Sequence, residues 1–450
     1  MRITAAELAR AVRGELLCGS GDTAIDAVST DSRTIGAGAL FIPIVGESFD
    51  GHNFIDRAIA AGAAGCLCAR TPETLRPDRF YVRVADTTLA YKDLAAWYRS
   101  RFSIPVVQVT GSVGKTTTKE MIASVLAQRY KTLRTEANYN NEIGTPMTLL
   151  RLDDTYKAAV IETGMDRAGQ IRYLGEMVRP TVAVITNIGD MHIEYLGSRE
   201  GIFRAKCEIF ENLAADGVAV LNGDDEWLDK VALPQRVIRA GMGGNCGVRV
   251  SDVRDRGIDG VSCAVTTEKA RYELAIPAPG AHMIYPASAA VAVGETLGLG
   301  AEEIVRGVAA YEPAGARMRV VTLPDGRRLL DDCYNAGPQS MEAALHVLAG
   351  SEGNTAAVLG DMAELGELTA PAHRTIGRLA KELGVGTVIA VGARARNIAD
   401  AAGGAWFASV DEALPAIRAA FAPNTAMLVK ASHSMHFERI TAFLTNDTGF

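Results

Sequence analysis

Hydrophobic and polar positions along this chain form two alternating patterns, one typical of buried strands and one typical of helices. Ile104–Val109 is a short, β-branched apolar run, which predicts a buried strand. The segment Lys115–Tyr130 instead has apolar residues at helical spacing, among them Met121, Ile122 and Val125. The sequence therefore predicts a strand, a short loop and a helix in that order.

The alternation continues through the middle of the chain, which we assign to residues 83–311. Ala158–Ile161 is an apolar strand that ends next to Glu162. Thr181–Thr186 is a further strand, and it leads into the polar segment Asn187–His192. Strands that alternate with helices predict a parallel sheet covered on both faces.

The last part of the chain, residues 312–450, repeats the pattern on a smaller scale. Pro313–Gly315 is a plausible hinge before it. The predicted strands are Leu329–Asp332, Ala356–Leu359, Thr387–Val391 and Ala426–Val429, and the predicted helices are Pro338–Leu348, Ala370–Leu383, Arg394–Ala401 and Asp411–Phe421. Polar residues follow several of these strands, which predicts a second doubly wound domain with a ligand edge.

The first part, residues 1–82, has weaker signals. We predict a helix at Ala5–Arg13, a strand at Leu40–Val45 and a helix at Phe54–Ala61 with Asn53 as its cap. Two polar clusters stand out: Thr30, Asp31, Ser32 and Arg33 after a strand-like run, and the turn that carries Asp50 and His52. By composition alone, the first cluster is an ordinary polar turn.

Length, composition and net charge limit the classes of protein to which this chain can belong. The length of 450 residues suggests two to four domains, and 48% hydrophobic with 22% charged residues is typical of a globular protein in water. A net charge of −7 gives no reason to expect nucleic acid or an anionic membrane as partner. We find no signal peptide and no apolar run long enough to span a membrane. The seven scattered cysteines indicate free thiols in a reducing cytoplasm.

The strongest chemical motif is TGSVGKTTT, from Thr110 to Thr118, between the first strand and helix described above. Gly111 and Gly114 let the backbone curl around phosphate, and Lys115 and Thr116 supply a positive charge and a hydroxyl for Mg²⁺. Val109 stands where the usual loop begins with glycine. A nucleotide-phosphate site is the favoured interpretation, and a plain glycine-rich turn is the alternative.

Three further residues are candidate functional residues because of their positions in the predicted strands and helices. Glu162 at a strand tip is where Mg²⁺ is usually held in such a unit, although an exposed strand-end carboxylate is the alternative. His192 lies near another strand tip, and a structural hydrogen-bonding role is as plausible for it as a ligand role. Lys206 lies in the predicted helix Ser198–Asn212, where a solvated helix face remains open.

Taken together, the motifs resemble those of the Mur ligase family over the whole chain. The resemblance rests on these stretches: STDSR, GESFDGHNFI, TGSVGKTTTKE, NYNNEIGTP, IETGM, TNIGDMHIEYLGSREGIFRAKCEIF, DDCYNAGP, VLGDMAELGE and LVKASH.

The resemblance implies an α/β fold with three domains. These would be a small N-terminal α/β domain for a UDP-sugar (1–82), a central P-loop parallel-sheet ATPase domain (83–311) and a C-terminal Rossmann-like domain that presents the amine (312–450). It also implies ATP-dependent amide formation through an acyl phosphate, with ATP and Mg²⁺ as cofactors, in peptidoglycan precursor synthesis. The partners would be a UDP-linked muramoyl peptide and the dipeptide D-alanyl-D-alanine, and the enzyme would be a cytoplasmic monomer.

The resemblance also assigns roles to residues. Lys115, His192 and Lys206 would be catalytic, with Lys206 carbamylated. The ATP contacts would be Thr110, Gly111, Ser112, Gly114, Lys115, Thr116, Thr117, Asn187, Arg317 and Asp332. The metal ligands would be Thr116, Glu162, His192 and Lys206. The substrate contacts would be Thr30, Asp31, Ser32, Arg33, Asp50, His52 and Asn335.

The chain departs from the family pattern at three places. The usual His-Asn-x-x-Asn reads His282-Met283-Ile284-Tyr285-Pro286, where adenine contacts are expected. The usual Asn-Ala-Asn-Pro has Gly337 as its third residue, and the usual Lys-Gly-Ser-Arg reads Lys430-Ala431-Ser432-His433. Two alternatives therefore stay open: a relative with the same chemistry but another amine or acyl donor, and a nucleotide-gated binding protein.

Overall fold

The computed structural model describes residues 2–46 and 48–446. Glu47 of the GESFDGHNFI motif lies outside the described residues, as do Met1 and residues 447–450 at the ends of the first and last predicted domains. By their internal contacts, residues 1–108, 131–163 and 172–180 form one compact unit, and residues 109–130, 164–171 and 181–450 form a second.

Strands and helices are mixed along the described part of the chain. The strands are β1 (Ile3–Thr4), β2 (Glu15–Cys18), β3 (Ala24–Ile25), β4 (Ala27–Ser29), β5 (Ala39–Phe41), β6 (Gly65–Cys68), β7 (Phe80–Arg83), β8 (Val106–Thr110), β9 (Thr132–Arg134), β10 (Ala158–Glu162), β11 (Val182–Ile185), β12 (Val218–Asn222), β13 (Arg236–Gly241), β14 (Val248–Asp255), β15 (Val261–Thr266), β16 (Arg271–Ile276), β17 (Arg319–Thr322), β18 (Arg328–Asp331), β19 (Asn354–Gly360), β20 (Thr387–Val391), β21 (Ala405–Phe407) and β22 (Thr425–Lys430).

The α-helices are α1 (Ala5–Ala11), α2 (Ile55–Ala60), α3 (Thr87–Arg99), α4 (Lys115–Leu126), α5 (Gly144–Leu149), α6 (Gln170–Val178), α7 (Ile193–Leu196), α8 (Arg199–Cys207), α9 (Ile284–Thr296), α10 (Ala301–Ala309), α11 (Pro338–Ala349), α12 (Thr369–Glu382), α13 (Arg396–Ala402), α14 (Val410–Ala420) and α15 (Glu438–Asn446). Short 3₁₀ helices occupy Gly51–Phe54, Glu208–Asn212, Leu228–Lys230, Gly257–Asp259, Ala281–Met283, Gly366–Leu368 and His433–Met435.

The strands form four sheets in the described part of the chain. A two-stranded sheet pairs β1 with β3, and a five-stranded sheet has the order β2-β7-β6-β5-β4. A nine-stranded sheet has the order β16-β15-β14-β13-β12-β11-β8-β10-β9, and a six-stranded sheet has the order β17-β18-β22-β19-β20-β21. Strands β11 to β14 pair in parallel, as do β18, β22, β19, β20 and β21. The predicted α/β class with parallel sheets is confirmed.

Antiparallel strands extend two of these sheets at an edge. β14, β15 and β16 form a meander at one end of the nine-stranded sheet, and β17 pairs antiparallel with β18 in the six-stranded one. The alternation of apolar and polar residues from Val248 to Ile276 is typical of such strands. The central strands are buried on both faces, as β8, β11 and β22 show, which explains their continuous apolar sequences.

Helix α3 shows how local sequence sets an element. The Asp86 side chain accepts hydrogen bonds from the backbone N–H groups of Thr88 and Leu89, which caps the first turn. Its buried positions include Tyr91, Leu94 and Tyr98, which lie on one face and join the core of the first unit. The Asp86 cap and this apolar face therefore define the helix.

Two predictions in the first segment were wrong in detail. The predicted strand Leu40–Val45 ends at Phe41, and Pro43, which has no N–H to donate to a strand ladder, follows closely. The helix predicted to start at Phe54 begins with the 3₁₀ turn Gly51–Phe54, and its cap is Asp50, not Asn53. Among the described residues, no helix is long and apolar enough to cross a membrane.

Candidate functional site

The predicted phosphate loop lies between β8 and α4, and its glycines are required by geometry. Gly111 has a φ of 149°, and a Cβ there would lie 1.8 Å from Thr186 Oγ1. Gly114 caps α4 in the left-handed conformation, with a φ of 81°. A side chain at either position would strain the backbone, and at Gly111 it would also displace Thr186. Because the first N–H groups of α4 lack helical acceptors, this loop is suited to an anion.

Residues after β11 hold the loop in shape. The Asn187 side chain accepts a hydrogen bond from Val113 N (2.9 Å) and donates one to Val113 O (2.9 Å). Ser112 N donates to Asn187 O at 3.1 Å, and Gly189 N donates to Ser112 Oγ at 2.8 Å. Thr186 Oγ1 donates to Val113 O at 2.6 Å. Asn187, which the sequence predicted to contact ATP, is thus seen to support the loop backbone.

Two lysines of the second unit lie near this loop. Lys115 Nζ donates to the carbonyl oxygens of Gly111 (2.8 Å) and Ser112 (3.2 Å). Lys206, on α8, is only 2% exposed, and burial together with the charge of Lys115 holds its pKa well below the ordinary value. The solvated helix face that the sequence left open for Lys206 is therefore excluded. A lowered pKa favours the neutral, nucleophilic form of this amine over the cation.

His192 follows β11 and begins the short helix α7. Its Nδ1 lies 2.7 Å from Oε2 of Glu364, a residue of the loop after β19. The nearness of His192 lowers the pKa of the Glu364 carboxyl. The sequence assigned no role to Glu364, and nothing in the local sequence could have paired it with His192.

A second cluster lies at the carboxyl ends of β18 and β22. Arg317 stacks over the ring of Tyr334, with its guanidinium carbon 3.6 Å from the ring centre. Asp332 accepts hydrogen bonds from Met318 N (3.0 Å) and Lys430 Nζ (2.5 Å), so both of its oxygens have protein partners. The structure therefore brings together Arg317 and Asp332, the two predicted nucleotide contacts of this domain.

Lys430, His433 and His436 complete this cluster. Lys430 Nζ also donates to the backbone oxygen of Asn335, at 2.9 Å. The His433 ring lies 5.5 Å from the ring of Tyr334, and the His436 ring lies 6.4 Å from that of His433. The ring of His433 therefore lies beside that of Tyr334, tilted by 34°.

Tyr311 links this cluster to the phosphate loop. Its side chain is hydrogen-bonded to Thr117 on α4 and lies within electrostatic reach of Glu120 and Arg317. Burial raises the pKa of Tyr311 to about 12, so its hydroxyl stays protonated. The sequence gave no role to Tyr311 or Thr186, because an isolated Tyr or Thr carries no motif.

In the first unit, the polar cluster follows β4. Asp31 and Arg33 form a two-pronged ion pair, with Nε and Nη2 of Arg33 at 2.9 and 2.7 Å from the carboxylate oxygens. Arg33 lowers the pKa of Asp31 to about 2, and Arg57 on α2 also contributes. Ser29 Oγ holds the backbone of Asp31, while Ser32 is buried.

Asp50 and His52 form a separate brace in this unit. Asp50 Oδ1 accepts a hydrogen bond from His52 N at 2.9 Å. The same oxygen lies 2.7 Å from His52 Nδ1. His52 Nε2 accepts a hydrogen bond from Ala69 N at 2.9 Å, and Asp50 Oδ2 pairs with Arg70. Both ring nitrogens of His52 therefore have protein partners. A contact of His52 with substrate, as the sequence predicts, would have to use other atoms of the residue.

Glu162 ends β10, also in the first unit. It is 1% exposed, which excludes the exposed strand-end carboxylate that the sequence left open. Asn140 Nδ2 donates to Glu162 Oε1 at 2.8 Å, and Glu162 N donates to Thr135 Oγ1 at 3.0 Å. Asn140 belongs to the Asn-rich loop TEANYNNEIGT, so that loop contacts a predicted metal ligand.

Within residues 2–46 and 48–446, no three His, Cys, Asp or Glu side chains are grouped so that they could hold a metal ion. Mg²⁺ differs from zinc here, because it keeps several waters and is usually bound through one or two carboxylates and substrate phosphates. The Thr116 hydroxyl of the second unit and the buried Glu162 carboxylate of the first are each oxygen donors of the kind that fits Mg²⁺.

Three family models match the chain. The model of the Mur ligase middle domain matches residues 109–294, that of the Mur ligase, glutamate ligase domain matches residues 316–433, and that of the Mur ligase family, catalytic domain matches residues 24–99. The matched regions correspond to three successive parts of the chain, in agreement with a three-domain organisation.

Individual proteins match over nearly the full length. The UDP-N-acetylmuramoyl-tripeptide–D-alanyl-D-alanine ligase of Escherichia coli K12 is 36% identical over 449 residues, which cover 98% of both chains. A crystal structure of MurF from Acinetobacter baumannii superposes with a TM-score of 0.92 at 33% identity, covering 99% of both chains. MurF ligase from Thermotoga maritima, solved in complex with ADP, has a TM-score of 0.84 at 25% identity, covering 94% of this chain and 97% of that one.

Proposed function

Because this chain belongs to the Mur ligase family, we propose that it is the ATP-dependent ligase that adds D-alanyl-D-alanine to UDP-N-acetylmuramoyl tripeptide in peptidoglycan synthesis. The observation that carries the proposal is the placement of Lys206, buried near Lys115 of a well-braced phosphate loop. Relatives of the same length that bear this ligase name support it. ATP binding follows from the family and from the ADP complex of a relative.

The proposed reaction requires a carboxylate that has been activated for attack by an amine. The peptide carboxylate of the UDP-linked substrate attacks the γ-phosphorus of ATP, which forms an acyl phosphate and releases ADP. The amine of the dipeptide then attacks the acyl carbon, and inorganic phosphate leaves as the amide forms and the amine loses a proton. Lys115 and the N-terminus of α4 stabilise the negative charge that the transferred phosphoryl group carries. Asn187 and Thr186 brace this loop through their hydrogen bonds with Val113.

The proposed metal ligands are Thr116, Glu162, His192 and Lys206 in its carbamylated form. When bound, Mg²⁺ would neutralise phosphate charge between the two anionic reactants. The protein's own contribution at Lys206 is a buried amine whose neutral form is favoured, and the neutral amine can take up CO₂ and become an anion. A carbamate there would place a negative charge beside Lys115.

Substrate contacts are proposed for both units. Thr30, Asp31, Ser32, Arg33, Asp50 and His52 would serve the UDP-sugar, although the surroundings of Asp50 and His52 favour a bracing role. Arg317 and Asp332, together with Thr110, Gly111, Ser112, Gly114 and Thr117, would serve ATP. Asn335 would contact the incoming amine. We keep the domain bounds 1–82, 83–311 and 312–450 as proposals, with a monomeric enzyme in the cytoplasm.

One observation favours a second candidate, a ligase of the same mechanism that accepts a different amine. Gly337, Ala431 and His433 replace residues of the family pattern. His433 lies beside the ring of Tyr334 and lacks the permanent charge and fork geometry of an arginine. D-alanyl-D-alanine remains the first choice because the motifs around these changes are intact.

The test is ATP consumption by the purified protein with UDP-N-acetylmuramoyl tripeptide and a panel of amines. We expect phosphate release that depends on both the tripeptide and D-alanyl-D-alanine, with the ligated product identified by mass spectrometry. Turnover with another amine at tenfold or greater preference would replace the first candidate with the second. ATP hydrolysis without any ligated product would contradict both.

A further inference from the structure

The loop after β19 carries a carboxylate that the reaction above does not use. Glu364 Oε2 lies 2.7 Å from His192 Nδ1, which joins the region of the six-stranded sheet to the segment after β11. Both residues have left-handed backbone conformations, with φ of 60° for Glu364 and 63° for His192. Such conformations are uncommon in residues other than glycine and persist where the surrounding structure fixes them.

The loop that presents Glu364 is firmly held. Met362 N donates to His373 Nε2 at 3.0 Å, and Ala363 N donates to Ser432 Oγ at 3.0 Å. Two backbone groups next to Glu364 are therefore bonded to side chains of other elements. The carboxylate of Glu364 is presented from a braced loop and not from a freely moving one.

The segment that carries His192 is held from the same side. A Cβ at Gly337 would lie 2.6 Å from Met191 Sδ, and one at Gly189 would lie 2.1 Å from Gln339 Oε1. The start of helix α11 therefore packs closely against residues 189–191. Together with Glu364, these contacts dock the C-terminal region on the segment after β11.

We propose that Glu364 is a positioning residue for His192: its carboxylate, 2.7 Å from Nδ1, selects the tautomer that carries the proton on Nδ1 and leaves Nε2 for the metal. The inference rests on the proposed function, because it takes His192 to be a Mg²⁺ ligand. A metal-binding histidine usually donates its other ring N–H to a carboxylate or carbonyl, which fixes both the tautomer and the orientation of the ring. Glu364 supplies that carboxylate from the region proposed to present the amine.

This arrangement links two events. His192 is correctly oriented when the braced loop of Glu364 is docked, so formation of the metal site depends on the position of the C-terminal region. Neither Glu364 nor its loop need touch ATP for this effect. This link would make metal and phosphate binding stronger when the C-terminal region is docked on the segment after β11 than when it is not.

The first test uses the ligand-free wild-type protein and does not depend on activity. Nitrogen-15 NMR of the ring nitrogens, with His192 identified through a His192→Gln variant, reports the tautomer at a pH where the ring is neutral. We expect the Nδ1–H form. The Nε2–H form would overturn the proposal and leave the proposed function standing.

The second test measures affinity for Mn²⁺ by electron paramagnetic resonance in the presence of a non-hydrolysable ATP analogue. Loss of such a partner typically weakens metal binding about 10–100-fold, so we expect Glu364→Ala to weaken it by at least about tenfold. Glu364→Gln, whose amide oxygen can still accept Nδ1–H, should recover part of the loss. Glu367→Ala, on the same loop, is the matched control and should have no effect.

Two outcomes separate this proposal from the ligase assignment. If Mn²⁺ affinity is unchanged in Glu364→Ala while wild-type turnover is normal, the positioning role is wrong and the ligase assignment stands. If the wild type makes no ligated product but shows the Nδ1–H tautomer and the Mn²⁺ effect, the ligase assignment fails while Glu364 keeps its role. Thermal melts show whether each variant is folded, and the wild-type tautomer decides the proposal if a variant is not.

Discussion

Lys206 is buried close enough to Lys115 for the charge of Lys115, together with burial, to hold the pKa of Lys206 well below its ordinary value. A neutral amine in this position reacts with CO₂, and the resulting carbamate is an oxygen ligand of the kind that Mg²⁺ prefers. We predict a carbamate on Lys206. With ¹³C-labelled bicarbonate, the wild type should show a carbamate carbon signal in the NMR spectrum that Lys206→Ala lacks.

Turnover measurements provide an independent test of the predicted carbamate on Lys206. Lys206→Ala should lose turnover and recover part of it when a short carboxylic acid is added, because the acid supplies the missing oxygen ligands. The exposed Lys381 on α12 provides a control, and Lys381→Ala should retain both activity and the signal. An unmodified Lys206 in a structure with ATP analogue and metal bound would contradict the prediction.

Lys115→Ala should abolish turnover without unfolding the protein. The Lys115 ammonium contacts the carbonyl oxygens of the phosphate loop, and its proposed role is to offset phosphate charge. Product formation should fall by at least a hundredfold, about 2.7 kcal/mol of transition-state stabilisation. Circular dichroism and a thermal melt check the fold, and near-normal activity in a folded variant would exclude this loop as the ATP site.

His433 should set the affinity for the amine substrate. Arginine offers a permanent charge and a two-pronged geometry for a carboxylate, and the imidazole beside Tyr334 does not. We expect His433→Arg to lower the KM for D-alanyl-D-alanine by about tenfold, equivalent to about 1.4 kcal/mol, with little change in kcat. His346→Arg, an exposed histidine on α11, is the control. A KM that does not change would place His433 outside the amine site.

Sequence pattern was sufficient for most of the last segment. The helix Pro338–Leu348 was predicted and runs to Ala349, because Pro338 stands at its first turn and Met341, Leu345 and Leu348 share a buried face. The phosphate loop could also be predicted from the sequence, because its glycines, lysine and threonine lie close together in one short motif. Periodicity could not show the 3₁₀ turn at Gly51–Phe54, because a single aspartate cap decides it.

Other parts of the site depend on contacts between distant segments. Lys206 on α8 looked like any surface lysine, and only packing reveals its burial. Glu364 and His192 each follow a strand, and nothing local in either sequence indicates that they meet. The bracing roles of Asn187 and His52 were also invisible, because an amide or imidazole has the same sequence signature whether it binds substrate or backbone.

His373 should make stability depend on pH. It is fully buried, accepts a hydrogen bond from Met362 N and lies 2.6 Å from Thr369 O, and burial lowers its pKa from the ordinary value of about 6.5. Because the folded state resists a proton that the unfolded state binds, its stabilising contribution is complete above pH 6.5 and is lost progressively below it.

Urea unfolding between pH 7.5 and pH 5 tests this. The free energy of unfolding of the wild type should fall more steeply with decreasing pH than that of His373→Gln, whose amide oxygen can still accept from Met362 N. His436→Gln removes an exposed histidine and should keep the wild-type slope. Equal slopes for wild type and His373→Gln would contradict the assignment.

The close packing of Gly337 against Met191 has a consequence for how this family diversifies. A side chain at position 337 would require the thioether of Met191, which lies near the end of a flexible side chain, to move aside. Among homologues, larger residues at 337 should therefore be accompanied by smaller or differently turned side chains at 191.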